Sequence, residues 1–219
     1  MSNYSLIIFD CDGTLVDSEV ITNKVFAQML SELGIFMTPN EVFETFVGQS
    51  MQQCLAQIRQ MADEEPPSDF LDDYHNRTVK ALEANLQPVT GIHRVLEILE
   101  VPYCVASSGS HAKMQKTLGI TNLLPKFEGQ IYSVHDVENG KPAPDVFLYA
   151  ARQNNVSPAE CAVIEDTPIG VKAGINAGMT VFGYAAHTPA EWLRDAGADH
   201  VFDSMADLPG LLKEGISNA

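Results

Sequence analysis

Leu6-Ile7-Ile8-Phe9-Asp10-Cys11-Asp12-Gly13-Thr14-Leu15-Val16-Asp17-Ser18-Glu19 is the stretch on which the rest of the chain depends. Its four leading apolar residues form an unbroken run, the expected look of a strand buried on both faces of a parallel sheet. The run stops at Asp10. Side chains alternate along a strand, so Asp10 and Asp12 point the same way past its C-terminal end. Cys11 points the other way, as a small core residue. Open α/β sheets place their ligands at the carboxyl ends of their strands. Two neighbouring carboxylates repel unless a positive charge lies between them. Mg2+, a hard cation that takes oxygen ligands and keeps waters, meets that need. Asp-Gly by itself is also an ordinary turn signal, so the reading depends on partners elsewhere.

After the aspartates the texture is helical. A helix is expected from Asp17 or Ser18 to Gly34, with Ile21, Val25, Met29 and Leu33 at helical spacing. Thr38-Pro39-Asn40-Glu41 reads as a second helix start, with Val42, Phe43 and Phe46 packing. Further helices are expected over about 51–62 and 68–86. From residue 88 onward strands and helices alternate. Strands are expected at 103–107, 130–134, 161–164, 179–184 and 201–202, with helices at 91–99, 111–118, 144–154 and 168–177. Alternation of this kind means a doubly wound, Rossmann-like parallel α/β sheet. The expected organisation is a catalytic α/β core from 1–16 and 88–219, with a helical cap, 17–87, inserted after the first strand. Val16–Asp17 and Gln87–Pro88 would be its hinges.

Composition bounds the function. The chain has 219 residues, 45% of them apolar, enough for a large buried core. Its 13 basic and 29 acidic residues give a formal charge of −16, which argues against nucleic-acid binding. No apolar run reaches the roughly 20 residues of a membrane span, and no signal-like segment opens the sequence. A monomeric cytoplasmic protein with no membrane partner is expected. Cys11, Cys54, Cys104 and Cys161 form no C-x-x-C pair and read as reduced thiols. The six histidines form no ligand pair at helical spacing and suggest no metal site of their own.

Three further polar groups fall at strand ends or in the loops beyond them, and by the switch-point rule they can converge on Asp10. Ser107 ends the second strand, followed by Ser108 and Gly109. Lys141 lies in a loop pinned by Pro142 and Pro144. Glu165 and Asp166 end the fourth strand. Singly, each has an ordinary explanation: a helix cap, a solvated lysine, an acidic N-cap. Together they supply a phosphoryl-transfer site. Asp10 would be the nucleophile and Asp12 the general acid and base. Asp166, Asp10 and the Asp12 backbone carbonyl would hold Mg2+. Lys141, Ser107, Ser108 and the Gly109 N–H would balance or hold the phosphate oxygens.

Asp10 to Glu19, Ser107, Gly140-Lys141-Pro142 and Glu165-Asp166 resemble the four ordered motifs of the haloacid dehalogenase superfamily, and the likeness covers nearly the whole chain. The helical insert resembles the cap of the subfamily that contains β-phosphoglucomutase and phosphoglycolate phosphatase. The resemblance implies a Mg2+-dependent phosphatase or phosphomutase, with Glu165 tuning or ligating the metal. Asp12 is absent from the dehalogenase branch, so phosphate chemistry is implied. The mutase type carries a cap histidine and a cap arginine where this chain has Ile21-Thr22-Asn23 and Gln49-Ser50-Met51, so hydrolysis is favoured. Asp17 to Ile21 and Lys113-Met114-Gln115 are similar to hydrolases of sugar-acid phosphates such as 6-phosphogluconate. The expected substrate is a small phosphomonoester, a sugar phosphate or a sugar-acid phosphate. Asn23, Lys24, Gln49, Ser50 and Arg77 are the candidate specificity residues of the cap, and Lys113 a candidate phosphate contact. A phosphomutase, or a catalytically silent binding protein on the same fold, are the alternatives.

Overall fold

The computed structural model describes residues 4–47, 49, 51–62 and 65–214. The chain divides into two compact units, Met1–Val16 with Gln87–Ala219, and Asp17–Leu86.

The first unit is a six-stranded sheet in the order β3-β2-β1-β4-β5-β6. Its strands are β1 (Leu6–Phe9), β2 (Tyr103–Ser107), β3 (Ile131–Ser133), β4 (Cys161–Glu165), β5 (Thr180–Tyr184) and β6 (His200–Phe202). Every pairing is parallel. The doubly wound α/β class read from the alternation is therefore the class observed. All four β1 residues are fully buried, which is why they read as a continuous apolar run without alternation. β1 pairs with β2 on one side and β4 on the other, through Phe9↔Val105 and Phe9↔Ile164. Strand order reverses here, so the ends of these three strands form the switch point.

α5 (Ile92–Ile98), α6 (His111–Ile120), α7 (Asp145–Gln153), α8 (Pro168–Asn176), α9 (Ala190–Asp195) and α10 (Leu208–Glu214) complete this unit. The sequence reading did not include α9 or α10. Both are short, and Pro189 before α9 and Pro209-Gly210 inside α10 read as loop punctuation. One core cluster gathers Leu6 and Ile8 of β1, Cys104 and Ala106 of β2, Val163 of β4, and Val146, Phe147 and Ala150 of α7. The two connections that leave this unit run side by side: Val16 bridges Pro88, and the Val89 N–H donates to the Leu15 carbonyl at 3.0 Å.

The second unit is purely helical among its described residues. It consists of α1 (Glu19–Glu32), α2 (Pro39–Phe46), α3 (Met51–Met61) and α4 (Phe70–Asn85). Phe26 is its centre, with ring centroids 5.2 Å from Phe46, 6.2 Å from Phe70 and 5.0 Å from Tyr74. The buried face of α1 is Phe26, Ala27, Met29 and Leu30, whereas the sequence reading took Ile21, Val25, Met29 and Leu33. Steps of four residues overshoot the 3.6-residue turn, so a stripe drawn that way drifts around the helix and leaves the core. α2 starts as read, with a capping box in which the Glu41 N–H donates to Thr38 Oγ1 at 3.2 Å and the Thr38 N–H donates to Glu41 Oε2 at 2.7 Å. Ser18 holds the cap position of α1, yet its side chain makes no capping hydrogen bond. Among the described residues no helix is long and apolar enough to cross a membrane.

Candidate active site

β1 delivers Asp10. The Asp10 N–H donates to the Ile164 carbonyl at 2.9 Å, which extends the β1–β4 ladder one residue and fixes the backbone of the first aspartate. A tight loop follows, in which the Leu15 and Val16 N–H groups share the Cys11 carbonyl, and the Gly13 N–H donates to the Val16 carbonyl at 2.8 Å. Gly13 is required twice over. Its φ of +78° lies in the left-handed region, and a Cβ there would meet Asp166 Oδ2 at 2.0 Å. Thr14 Oγ1 donates to the other oxygen of Asp166 at 3.2 Å. Asp166, leaving β4, is thus pressed against the loop that carries Asp12.

Lys141 lies at the centre of the site. Its Nζ donates to Asp10 Oδ1 at 2.6 Å, to Glu165 Oε1 at 2.7 Å and to the Ala106 carbonyl at 3.2 Å, which matches the three donors of an ammonium group. Nζ also stands 4.7 Å from the Phe147 ring centroid. The Lys141 and Glu165 side chains are 4% and 2% exposed. Burial alone would push the Lys141 ammonium down, but Asp10 and Glu165 more than offset it and hold it above the ordinary lysine range. Burial pushes the Asp10 carboxyl up to about 7, against the pull of Lys141 and with the push of Glu165.

Glu165 uses both oxygens: Oε1 accepts from Lys141, and Oε2 accepts from the N–H and the Oγ1 of Thr167, each at 2.9 Å. A Cβ on Gly170 would meet Glu165 Oε1 at 1.7 Å, so the first turn of α8 closes directly over the carboxylate. These bonds make Glu165 the second counter-ion of Lys141, a role the sequence reading did not foresee beside the metal contact it expected. Asp12, at the edge of the site, accepts a 2.6 Å hydrogen bond from Lys113 Nζ.

The end of β2 forms the third wall. Ser107 is buried, and its Oγ accepts from the Gly109 N–H at 3.1 Å. Ser108 is exposed at the turn. Ser110 caps α6 by accepting from the Lys113 N–H at 3.3 Å. The loop is clamped from β3: Ser133 Oγ donates to the Gly109 carbonyl at 2.7 Å, and Asp136 accepts from the Ser133 N–H at 2.8 Å and meets His111 Nε2 at 2.9 Å. Ser133, Thr14 and the Lys113–Asp12 contact were not anticipated. Serine at a strand end was the one available signal for Ser133; nothing local marks the other two.

The residues expected to select substrate lie in the helical unit. Asn23 and Lys24 are on α1, Asn23 half-buried and Lys24 exposed. Gln49 turns its side-chain amide back onto the Thr45 carbonyl at 2.8 Å. Ser50 lies outside the described residues. Arg77 bridges Glu32 of α1 and Asp73 of its own α4 turn through its guanidinium, and so ties the two helices together. Cys11 behaves as the core residue read from the sequence. It is buried, and burial, with Asp12 next, pushes its thiol far above the ordinary range, so it is no nucleophile. All four cysteines are free and buried.

The donor set suits a hard divalent cation. Asp10, Asp12, Glu165 and Asp166 are four carboxylates, against the two ammonium groups of Lys141 and Lys113. Among the described residues no three His, Cys, Asp or Glu side chains form a metal-holding group by themselves. Mg2+ asks for less: one or two carboxylates, a carbonyl and its own waters.

Residues 7–184 match the family model described as haloacid dehalogenase-like hydrolase. The chain is 33% identical over 187 residues to the 6-phosphogluconate phosphatase of Escherichia coli (strain K12), with 85% of each chain covered. A conserved haloacid dehalogenase-like protein of Agrobacterium tumefaciens str. C58 has a TM-score of 0.91 at 36% identity, covering 95% of this chain and 97% of that one. A HAD family hydrolase of Deinococcus radiodurans R1, solved with bound phosphate and sodium, has a TM-score of 0.86 at 32% identity, covering 98% and 97%. With that pattern running through β1, Lys141 and β4, the chain belongs to the haloacid dehalogenase-like hydrolases.

Proposed function

We propose that this hydrolase is a Mg2+-dependent phosphatase acting on a small phosphomonoester, a sugar phosphate or a sugar-acid phosphate, through an aspartyl-phosphate on Asp10. The observation that carries the reading is the contact of Lys141 Nζ with Asp10 Oδ1 at 2.6 Å, at the switch point of the sheet and one loop from Asp12 and Asp166.

An Asp10 oxygen attacks phosphorus and the ester P–O bond breaks. Asp12 gives its proton to the departing oxygen. A water then attacks the phosphoryl group, Asp12 takes up its proton, and the bond to Asp10 breaks to release inorganic phosphate. Lys141 lies against the charge that passes between Asp10 and the phosphoryl oxygens, while Ser107 and Ser108 would receive those oxygens once the Gly109 N–H, which in this structure donates to Ser107 Oγ, turns to them as well. Asp10, Asp166 and the Asp12 carbonyl would hold Mg2+, with Glu165 beside them. When bound, the ion supplies positive charge against the phosphoryl oxygens.

Similarity to an Escherichia coli enzyme named 6-phosphogluconate phosphatase supports a sugar-acid phosphate within this class. Hydrolysis is favoured over phosphoryl return to the substrate because Ile21-Thr22-Asn23 stands where the mutase type has its cap histidine. The helical unit would be a cap, hinged at Val16–Asp17 and near Gln87, with Asn23 and Lys24 the first residues to test for substrate choice. The protein would work as a cytoplasmic monomer.

The test is phosphate release from p-nitrophenyl phosphate and a panel of sugar and sugar-acid phosphates, with and without Mg2+. Stoichiometric inorganic phosphate that needs Mg2+ supports the reading. Isomerisation of a sugar monophosphate, stimulated by a sugar bisphosphate and without phosphate release, would replace it by the mutase.

A further inference from the structure

Lys113 has no place in the chemistry above, yet it touches the residue that moves the protons. It stands in the first turn of α6, its N–H held by the capping Ser110. Its side chain runs back over the phosphate loop: a Cβ built on Gly109 would find Lys113 Cδ at 3.5 Å and Ser107 Oγ at 3.6 Å. At the end of that path Nζ meets Asp12 Oδ2 at 2.6 Å. The lysine stem is therefore laid across Gly109, and its head reaches a carboxylate 101 residues away in sequence. The pair is partly open to solvent, with Lys113 44% and Asp12 26% exposed. Such a pair contributes little to stability, so folding gives a weak account of it. Proton transfer gives a better one. A general acid works only within hydrogen-bond reach of the departing oxygen, and misplacement by about 1 Å costs on the order of 100-fold.

We propose that Lys113 is a positioning residue for Asp12: by gripping Oδ2 it holds the carboxyl group in the orientation from which the proton reaches the leaving oxygen. The proposal rests on the reading of Asp12 as general acid. It makes α6 a shared part, in which Ser110 caps the helix at the end of the phosphate loop and the first turn aims the acid.

The experiment compares two aryl phosphates. p-Nitrophenolate leaves without help, whereas phenolate needs the proton. For Lys113→Met, kcat/KM for phenyl phosphate should fall roughly 10- to 100-fold, while that for p-nitrophenyl phosphate falls less than about threefold. Asp12→Asn should show the same selectivity more strongly. In the Asp12→Asn background, adding Lys113→Met should change neither value, because the lysine acts through the aspartate. Equal losses on both substrates for Lys113→Met, or no loss on either, would overturn the proposal, the first outcome pointing to a direct phosphate contact. A further loss from Lys113→Met in the Asp12→Asn background would overturn it as well. If Asp12→Asn itself shows no leaving-group selectivity, the general-acid reading fails, and that failure is distinct. Thermal unfolding of each variant should match the parent, so that a fall in kcat/KM reports on the site.

Discussion

The two units handle charge in opposite ways. In the α/β unit the ion pairs of Lys141 are buried and join distant parts of the chain: Lys141 meets Asp10 across 131 residues and Glu165 across 24, with almost no exposure. In the helical unit the described pairs are exposed: Arg77 with Glu32 and Asp73, Arg59 with Glu65. Its core is aromatic and aliphatic, gathered round Phe26. A buried ammonium between two carboxylates is costly to assemble and worse to break, because losing one partner leaves a desolvated charge behind. Exposed pairs are screened by solvent and are close to neutral for stability. The first unit therefore commits its polar groups to one geometry, as phosphoryl transfer requires. The second leaves its described ion pairs in solvent, where exchange of one charge for another costs little.

The contrast can be broken by substitution. The largest effect should come from Asp10→Asn, which removes the proposed nucleophile: kcat for p-nitrophenyl phosphate should fall by about 10^4-fold or more with the circular dichroism spectrum unchanged. A variant as fast as the parent would rule out the aspartyl-phosphate. Lys141→Met should abolish turnover and also lower stability by about 3–5 kcal/mol in urea unfolding, because Asp10 and Glu165 are left buried without their counter-ion. Full stability in that variant would mean the buried triad is not the organising contact claimed for it.

Gly170→Ala probes the same triad from outside the site. Its methyl group would have to displace the Glu165 carboxylate, so a loss of about 1–3 kcal/mol is expected. A matching fall in activity should follow, read in parallel urea and kinetic assays. Thr38→Ala acts only on the helical unit. It removes the α2 capping box, at about 1 kcal/mol, and p-nitrophenyl phosphate turnover should hold. Smallest of all should be Arg77→Met, whose partners are solvated. Its melting temperature should stay close to that of the parent, and a collapse would show that the strut between α1 and α4 carries more of the helical unit than exposed pairs usually do.

How much of this was legible depended on the range of each interaction. Thr38-Pro39-Asn40-Glu41 announced its helix because a capping box is closed within four residues. Leu6–Phe9 announced its strand because burial on both faces leaves no polar position. The drift of the Ile21–Leu33 stripe shows the limit: which face of α1 is buried is decided by Phe46, Phe70 and Tyr74, which lie on other helices.

The sequence alone determined the order of the strands and of the helices as far as α8, the parallel sheet and most of the polar residues at strand ends, because period, caps and turn residues are local properties of a chain. It also determined that those residues meet near one place, since the carboxyl ends of parallel strands share one edge. Only the tertiary structure decided what each does to its neighbour. Glu165 faces Lys141, Arg77 is a strut, and the aspartate after Cys11 is held by Lys113. These are directions of side chains brought together across 24, 45 and 101 residues. Packing sets such directions, and no local pattern in the chain encodes them.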